Sequence, residues 1–263
     1  MSYLSAVLAN APRHYWRLAD RGGSVANDLG SSKLALIEIL AGSGPGVALA
    51  KPLGYSGCNT DGGCAVMGST GLSADEAFNY SAPITFEIVV WRFVQPANDV
   101  YLLGVGASGT GFAGVGILAN GNYLIADGVH AQADALFAVT SNAWHHVVLT
   151  QDGVNSKLYI DSVLKATIAS GAFAHVWRPS IGNKPDIGSA SGVPVAALSE
   201  AAIYTSALTQ AQVSAHFAAI DNAGQPPVNN SAGLGTAAPV TTVYTDRDAA
   251  LLAFVSRLYQ NAP

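Results

Sequence analysis

The chain has 263 residues, which is enough for one large β-sandwich or for a sandwich with a small appendage. Half of its residues are apolar and only 11% are charged, so it has the material for a sizeable core and lacks the high charge of a disordered chain. The net charge is −5 with no run of Lys or Arg, and no apolar stretch reaches about 18 residues without charges or turn residues, so neither nucleic-acid binding nor membrane insertion is expected.

The N-terminal segment combines a helical pattern with an aromatic strand. Residues 2–10 are predicted to form a short helix, with Ser2 as its N-cap and Pro12 beyond its end. No Lys or Arg precedes Arg13, which is atypical of a signal peptide, so we expect no cleaved leader and synthesis in a cytoplasm. A strand is predicted to start at residues 15–18.

Short strands separated by turn residues occupy most of the chain up to residue 204. The clearest strand covers residues 84–94, where alternate apolar residues such as Ile84 and Phe86 share one face. Asn120-Gly121-Asn122 and Asp152-Gly153 are typical hairpin turns. Further strands are predicted at 34–40, 101–105, 114–118, 123–126, 144–151, 157–160, 163–168 and 195–204. This spacing predicts an all-β, two-sheet antiparallel sandwich.

The C-terminal part differs in composition from the sandwich. The predicted sandwich domain, residues 1–222, ends in a short helix at about 207–220 that is capped by Thr209. Residues 223–240 read as a linker, and residues 241–263 as a helical extension. An isolated helix of about a dozen residues is marginal in water, so we expect it to dock on its own sandwich or on a neighbouring subunit. Its apolar stripe, the predicted assembly face, consists of Leu251, Phe254, Val255, Leu258 and Tyr259.

The two cysteines lie in a loop rich in Gly, Asn and Asp. Cys58 and Cys64 are separated by five residues, so either a small disulfide ring or two free thiols fits the sequence. Two sulfurs without a nearby His or a second Cys pair do not make a zinc shell.

Three segments resemble the laminin G-like jelly-roll domains of bacterial and bacteriophage proteins. Residues 6–18 are similar to that family's helix followed by a P-x-x-Y-W-R-L strand. Residues 143–161 are similar to its W-H-H-V-V … D-G … L-Y-V-D-G hairpin, and residues 198–209 to its closing strand and helix. The resemblance covers residues 4–220 and implies a concanavalin A-like sandwich with a short N-terminal helix.

Two positions depart from the family pattern. Ser162 stands where the family usually has glycine, and Leu198-Ser199 replaces the usual Ile-Asp, which removes an acidic side chain. Enzymes of this fold resemble one another in a Glu-x-Asp-x-x-Glu strand, whereas Glu87 is alone in its strand. Glycoside cleavage needs two carboxylates about 5–10 Å apart, so we predict that the chain is not an enzyme.

Candidate binding residues fall into two classes. His145 and His146 are neighbours in a strand and are expected to point to opposite faces, so they cannot share a metal. Trp91 and Trp144 are expected in the core. The aromatic residues expected to be exposed for carbohydrate binding are Tyr55, Tyr101, Tyr123 and Trp177. Calcium is the one cofactor that the sequence suggests, because loop Asp and Asn oxygens can bind it. Its candidate ligands form two alternative sets, one of Asp127, Asp134, Asn120 and Asn122 and the other of Asn59 and Asp61. These residues equally suit hydrogen-bonded turns.

Two functions fit these features. The resemblance to bacteriophage domains, the expected lack of a leader and the low charge predict a virion protein of a tailed bacteriophage, as a capsid decoration, fibre or minor tail component. Its partners would be other virion proteins and further copies of itself, with host glycans as an additional ligand. The alternative is a soluble bacterial carbohydrate-binding, lectin-like module.

Overall fold

The computed structural model describes most of the first 221 residues. The described residues are 3–18, 25–34, 36–39, 48–50, 64–67, 71–74, 76–92, 95–107, 111–129, 133–141, 143–182 and 196–221. The predicted linker, the helical extension and its apolar stripe lie outside them, as do Tyr55, Cys58, Asn59 and Asp61.

Strands dominate the described residues, with one short helix at each end. In chain order the elements are α1 (Tyr3–Ala9), β1 (His14–Trp16), β2 (Val25–Ala26), β3 (Leu36–Ile39), β4 (Ala48–Ala50), β5 (Cys64–Met67), β6 (Gly71–Ser73), β7 (Phe78–Ser81), β8 (Ile84–Arg92), β9 (Val100–Ala107), β10 (Gly111–Ile117), β11 (Asn122–Asp127), β12 (Ala133–Ala138), β13 (Trp144–Gln151), β14 (Asn155–Ile160), β15 (Val163–Ala169), β16 (Ala174–Ile181), β17 (Ala196–Tyr204) and α2 (Gln210–Asp221). No helix among them is long and apolar enough to cross a membrane.

The strands form two antiparallel sheets that pack face to face. Sheet A has the order β15-β14-β13-β8-β17-β5-β4, and β1 also pairs with β17. Sheet B has the order β12-β11-β10-β9-β16-β6-β3-β2, and β7 also pairs with β16. The predicted two-sheet sandwich is therefore confirmed, and so is the hairpin of β13 and β14, in which Val147 lies opposite Ile160.

Alternate residues of β8 face the core between the two sheets. Ile84, Phe86, Ile88 and Val90 are at most 1% exposed and belong to the cluster between the two sheets. The opposite face of β8 lies under α1 and α2, which complete a second apolar cluster with Val89 of sheet A. Burial of β8 on both faces explains why the strand is apolar along nearly its whole length.

The N-cap predicted for the second helix is present. Thr209 caps α2, because its hydroxyl accepts the backbone N–H of Gln212 at 3.3 Å while the Gln212 side chain accepts the Thr209 N–H at 2.9 Å.

The expectation that Trp91 and Trp144 lie in the core was wrong. Both are only partly buried and meet edge to face with ring centres 5.8 Å apart. They lie opposite each other on the helix-covered side of sheet A, outside the inter-sheet core.

The turn between β14 and β15 predicts a stabilising substitution. Asp161 and Ser162 have φ angles of 51° and 65°, and Ile160 pairs with Val163, so this is a two-residue turn with both residues left-handed. A left-handed residue other than glycine costs roughly 1–2 kcal/mol, part of which is offset by the greater entropy that glycine loses. We expect Ser162→Gly to raise the free energy of unfolding by about 0.5–1 kcal/mol, measured by urea denaturation. Thr167→Gly, within β15, is the control and is expected to lower it.

Candidate functional site

A narrow cleft opens at one edge of the sandwich, where the edge strand β12 of sheet B meets the β14–β15 hairpin of sheet A. Its volume is about 90 Å³, well below the roughly 300–1,000 Å³ of a pocket that holds a whole small molecule. The cleft therefore suits one chemical group at the end of a ligand. The polar and aromatic residues that line it are Tyr123, Phe137, Thr140, His145, Asp161 and Lys165.

His145 enters the cleft because of its register in sheet A. It pairs with Val90, whose side chain is in the core, so the His145 ring points to the inner side of the sheet. His146, one residue on, points the other way and contacts Glu87 beneath the helices. The two histidines thus lie on opposite faces, as the strand periodicity predicted.

Asp161 orients the His145 ring. Its Oδ2 lies 2.7 Å from His145 Nδ1, and its Oδ1 accepts the backbone N–H of His146 at 2.9 Å. The Asp161 backbone N–H also donates to the His146 carbonyl at 2.9 Å. Because the carboxylate is fixed at both oxygens, the imidazole is held with Nε2 directed away from Asp161. Nε2 is buried and has no hydrogen-bond partner among the described residues.

Tyr123 supplies a second unpaired polar atom from the other sheet. Its side chain is fully buried on β11, and its hydroxyl also lacks a partner among the described residues. Burial raises the pKa of Tyr123, the negative charge of Asp161 raises it further, and the positive charge of Arg92 lowers it. The phenol therefore keeps its proton at any physiological pH and is available as a donor.

Arg92 and Lys165 bring positive charge to this end of the sandwich. Arg92 is 8% exposed and donates from Nη2 to the Ser141 hydroxyl at 2.7 Å, while its Nε and Nη1 have no partner in the described part of the chain. Lys165 is exposed at the rim of the cleft, with its ammonium 4.6 Å from the ring centre of Phe137. Among the described residues that line the cleft, the one carboxylate is Asp161.

The expectation of exposed aromatic residues was wrong for three of the four. Tyr101, Tyr123 and Trp177 are 8%, 0% and 2% exposed, and Tyr55 lies outside the described residues. Tyr101 packs against Phe112 with ring centres 4.7 Å apart, and Trp177 packs against His175 with ring centres 4.4 Å apart. Of the three described residues, only Tyr123 lines the cleft.

The predicted calcium ligands are only partly brought together. The side-chain amides of Asn120 and Asn122 donate to the Asp134 carboxylate at 2.7 Å and 2.9 Å, and the Leu136 N–H donates to it at 2.7 Å. Asp127 is hydrogen-bonded elsewhere, to the backbone N–H of Val129 at 2.9 Å. In this arrangement N–H donors surround the Asp134 carboxylate, as in a turn, and calcium binding stays a prediction.

A second cluster of ionisable groups lies under the helices. Glu87 is fully buried, and its carboxylate receives the hydroxyls of Tyr3 at 2.7 Å and Tyr204 at 2.6 Å, together with His146 Nε2 at 2.7 Å and His216 Nδ1 at 3.0 Å. Burial opposes ionisation, but the charge of His216 and the hydrogen bonds from both histidines outweigh it and hold the pKa of Glu87 well below its usual range.

Glu200 lies near this cluster and behaves in the opposite way. It accepts the Tyr15 hydroxyl, and Arg17 Nη2 lies 3.4 Å from its Oε1. Burial dominates over Arg17 and raises the pKa of Glu200 to about 8. Two carboxyls with pKa values shifted apart are typical of acid–base catalysis, but both side chains are fully buried and contact only protein groups. They anchor the helices and the N-terminal strand on sheet A.

The sequence interpretation missed the pairing of His145 with Asp161, although its signal was present. In a hairpin without a bulge the residue numbers of opposite partners have a constant sum. Val147 opposite Ile160 therefore places residue 161 opposite residue 146, next to His145.

The disulfide prediction is not tested, because Cys58 lies outside the described residues.

Comparison with solved structures places the fold among known domains. A Trypanosoma rangeli sialidase bound to a difluoro-KDN compound aligns with a TM-score of 0.60 and 17% identity over 82% of this chain and 33% of that one. Domain 4 of AbnA, a GH43 extracellular arabinanase from Geobacillus stearothermophilus, in complex with arabinotriose, aligns with a TM-score of 0.58 and 14% identity over 78% of this chain and 97% of that one. The present chain thus spans about a third of the sialidase and nearly the whole arabinanase domain. At these identities the likeness shows the fold.

Comparison at the level of sequence gives the family. No curated protein matches the chain. The family model Laminin_G_3, described as the concanavalin A-like lectin/glucanases superfamily, matches residues 67–214, more than half of the chain. This stretch includes β8, the β13–β14 hairpin and the cleft residues. The chain therefore belongs to the Laminin_G_3 family of the concanavalin A-like lectin/glucanases superfamily.

Proposed function

We propose that the chain is a non-enzymatic carbohydrate-binding module whose ligand enters the cleft at the sandwich edge. The observation that carries the proposal is that two residues lining this cleft, Tyr123 and His145, each have a buried polar atom, the hydroxyl and Nε2, without a partner among the described residues. Leaving a buried polar group unsatisfied costs about 1–3 kcal/mol, and such groups in native proteins usually have a partner in solvent or ligand. One such group comes from each sheet, which supports the proposal that a polar ligand binds where the two sheets meet.

The fold supports carbohydrate as the ligand class. One similar structure is a domain of an arabinanase in complex with arabinotriose, and the family itself is described by its lectins and glucanases. Polyhydroxylated ligands offer donors and acceptors on the same group, which suits the mixed donors and acceptors of Tyr123, Thr140, His145 and Asp161.

The positions of the carboxylates support binding without catalysis. Asp161 lines the cleft without a second described acidic residue, whereas glycoside hydrolysis needs a pair about 5–10 Å apart. Glu87 and Glu200 are fully covered. Release of reducing sugar from any bound polysaccharide, retained after purification to homogeneity, would contradict this part of the proposal.

The test of binding is a glycan array, read with and without calcium, followed by Tyr123→Phe. We expect glycan binding by the native chain and an affinity at least about tenfold lower for Tyr123→Phe, because a hydrogen bond to the ligand is worth about 1–2 kcal/mol. The same change removes an unsatisfied buried hydroxyl, so the free energy of unfolding should stay equal or rise by about 1 kcal/mol.

Ser156→Ala is the matched control for this variant. The Ser156 hydroxyl is also buried and has no partner within the described ranges, but Ser156 does not line the cleft. Its removal should stabilise the chain similarly and leave glycan affinity unchanged. An array without hits in either condition, or equal affinity in Tyr123→Phe, would refute carbohydrate binding at this cleft.

The low charge favours a second function, a structural protein of a tailed bacteriophage virion. With only 11% charged residues the chain suits a position where neighbouring proteins cover much of its surface. Residues 6–18, which resemble the opening of bacteriophage domains, add support. Mass spectrometry of purified virus particles tests this proposal: the protein should be present in stoichiometric amount, and its absence from the particles would rule the function out.

A further inference from the structure

We propose that the cleft selects an uncharged hydroxyl group of a terminal sugar residue, which donates to His145 Nε2 and accepts from the Tyr123 hydroxyl. This inference rests on the proposed carbohydrate-binding function and names the ligand class and the way it is held. It follows from the tautomer of His145, the charges around the cleft and the size of the cleft.

The tautomer is set by Asp161. A carboxylate only accepts hydrogen bonds, and Asp161 Oδ2 lies 2.7 Å from His145 Nδ1, so Nδ1 carries the proton. In the neutral ring Nε2 is then an acceptor. The other Asp161 oxygen accepts the His146 backbone N–H, so the carboxylate cannot turn away. The ring therefore offers a lone pair to the cleft.

The complementary donor is Tyr123. Its hydroxyl is buried and protonated, and Phe137 stacks nearly parallel to its ring at 12°, which keeps the phenol in place. A hydroxyl is the common group that donates one hydrogen bond and accepts another through the same oxygen. A ligand carboxylate could not donate to Nε2, and an ammonium could not accept from Tyr123.

Charge and size point to the same ligand. Asp161 and Lys165 place one negative and one positive charge on the lining, which therefore carries no net formal charge. Arg92 adds a positive charge nearby, but it does not line the cleft and donates to the Ser141 hydroxyl at 2.7 Å. A volume of about 90 Å³ admits a hydroxyl or hydroxymethyl group but not a whole glycan chain. Recognition is accordingly end-on, at a terminal residue, and not along a polysaccharide strand.

The first experiment tests the tautomer without any ligand. Nitrogen-15 NMR of the full chain at pH 8 should show a protonated Nδ1 and a bare Nε2 for His145. In Asp161→Asn this preference should be lost, because the new side chain offers an N–H donor towards Nδ1. A proton on Nε2 in the native chain would overturn the inference and leave carbohydrate binding untouched.

The second experiment uses matched small probes. Methyl glycosides of glucose, galactose, mannose and arabinose are titrated, each hexose with its uronic acid and 2-amino-2-deoxy counterpart as the charged comparison. At least one neutral glycoside should shift the His145 Nε2 resonance and bind at least about tenfold more tightly than both charged counterparts. Equal or tighter binding of a charged counterpart would overturn the inference, while lack of binding by all probes would overturn the proposed function as well.

Asp161→Asn has a matched control in the neighbouring hairpin turn. Asp152 also accepts two backbone N–H groups, at 2.8 Å from Val154 and 2.7 Å from Asn155, but lies outside the cleft. Affinity for the neutral glycoside should fall about tenfold or more in Asp161→Asn and stay unchanged in Asp152→Asn. An unchanged affinity in Asp161→Asn would show that the carboxylate does not orient His145 for binding.

Discussion

Replacing Glu87 by Gln is expected to lower the free energy of unfolding by about 3–5 kcal/mol, the usual cost of removing one partner from a buried ionic network. The Glu87 carboxylate receives four side-chain donors, from α1, β13, β17 and α2, and none of its surface is exposed. An amide in its place offers one acceptor oxygen instead of two, and its NH2 faces hydroxyl and imidazole donors. The variant should be measured by urea denaturation at neutral pH.

The pH dependence of the same variant gives an independent check. The folded-state pKa of Glu87 is lowered below its ordinary 4.5, so its contribution to stability is present above that pH and is lost as the pH falls. Below pH 4.5 the native chain should therefore lose stability with falling pH more steeply than Glu87→Gln. Nearer neutral pH the opposite holds, because burial lowers the pKa of His216 but Glu87 outweighs it and raises that pKa, so protonation of His216 favours the native fold. Glu76→Gln, at an exposed position, is the control for charge loss alone and should resemble the native chain. A stability loss below about 1 kcal/mol in Glu87→Gln would contradict the assigned anchoring role.

Glu200→Gln is expected to have the opposite effect, a stabilisation that grows as the pH rises from 4.5 towards 8. The folded-state pKa of Glu200 is raised from 4.5 to about 8, chiefly by burial, so its neutral form is the one that fits the fold. Stability associated with this group is fully present below pH 4.5 and is lost as the pH rises towards 8. Since one pKa unit corresponds to about 1.4 kcal/mol, the loss is on the order of 3–5 kcal/mol.

The measurement compares unfolding free energies of the two chains from pH 5 to pH 9. At pH 5 Glu200→Gln should match the native chain, because a neutral amide replaces a neutral carboxyl of the same shape. At pH 9 the variant should be the more stable of the two. A difference that does not change with pH would mean that Glu200 is ionised throughout as the partner of Arg17.

The two glutamates also serve as controls for each other. Both are buried on neighbouring strands of sheet A, and both substitutions replace a carboxyl by an amide of the same shape. Glu87 meets two histidines and two tyrosines, whereas Glu200 meets one tyrosine and an Arg17 side chain that is 15% exposed. The number of buried donors, and not burial itself, decides which carboxyl stays ionised.

Patterns within short segments already determined the sandwich. Alternation in β8, the Asp152-Gly153 turn with its flanking apolar runs, and the Thr209 cap depend on neighbours a few residues apart, so backbone geometry alone relates them to structure. The resemblance to laminin G-like domains rested on the same segments, and the family match supports it.

Which residues are exposed could not be predicted in the same way. Periodicity says that Tyr123 and Trp177 share a face with their alternate neighbours, but not whether that face meets the other sheet or solvent. Strands β12 and β16 were also missed, because the Ala-rich sequence of one and Pro179 in the other weaken the strand pattern. In the folded chain, packing against distant segments compensates for the weak local strand patterns of β12 and β16.

The amino-acid sequence by itself determined most of the longer strands, the hairpin turns and hence the sandwich, since each depends on local spacing. Only the tertiary structure decided the cleft, because Tyr123 of sheet B and His145 of sheet A meet there through the packing of two sheets. The same holds for Glu87, which reads as a lone charge in an apolar strand until four other elements bring their donors to it. Burial and satisfaction of polar atoms are properties of contacts between distant segments, and no local pattern encodes them.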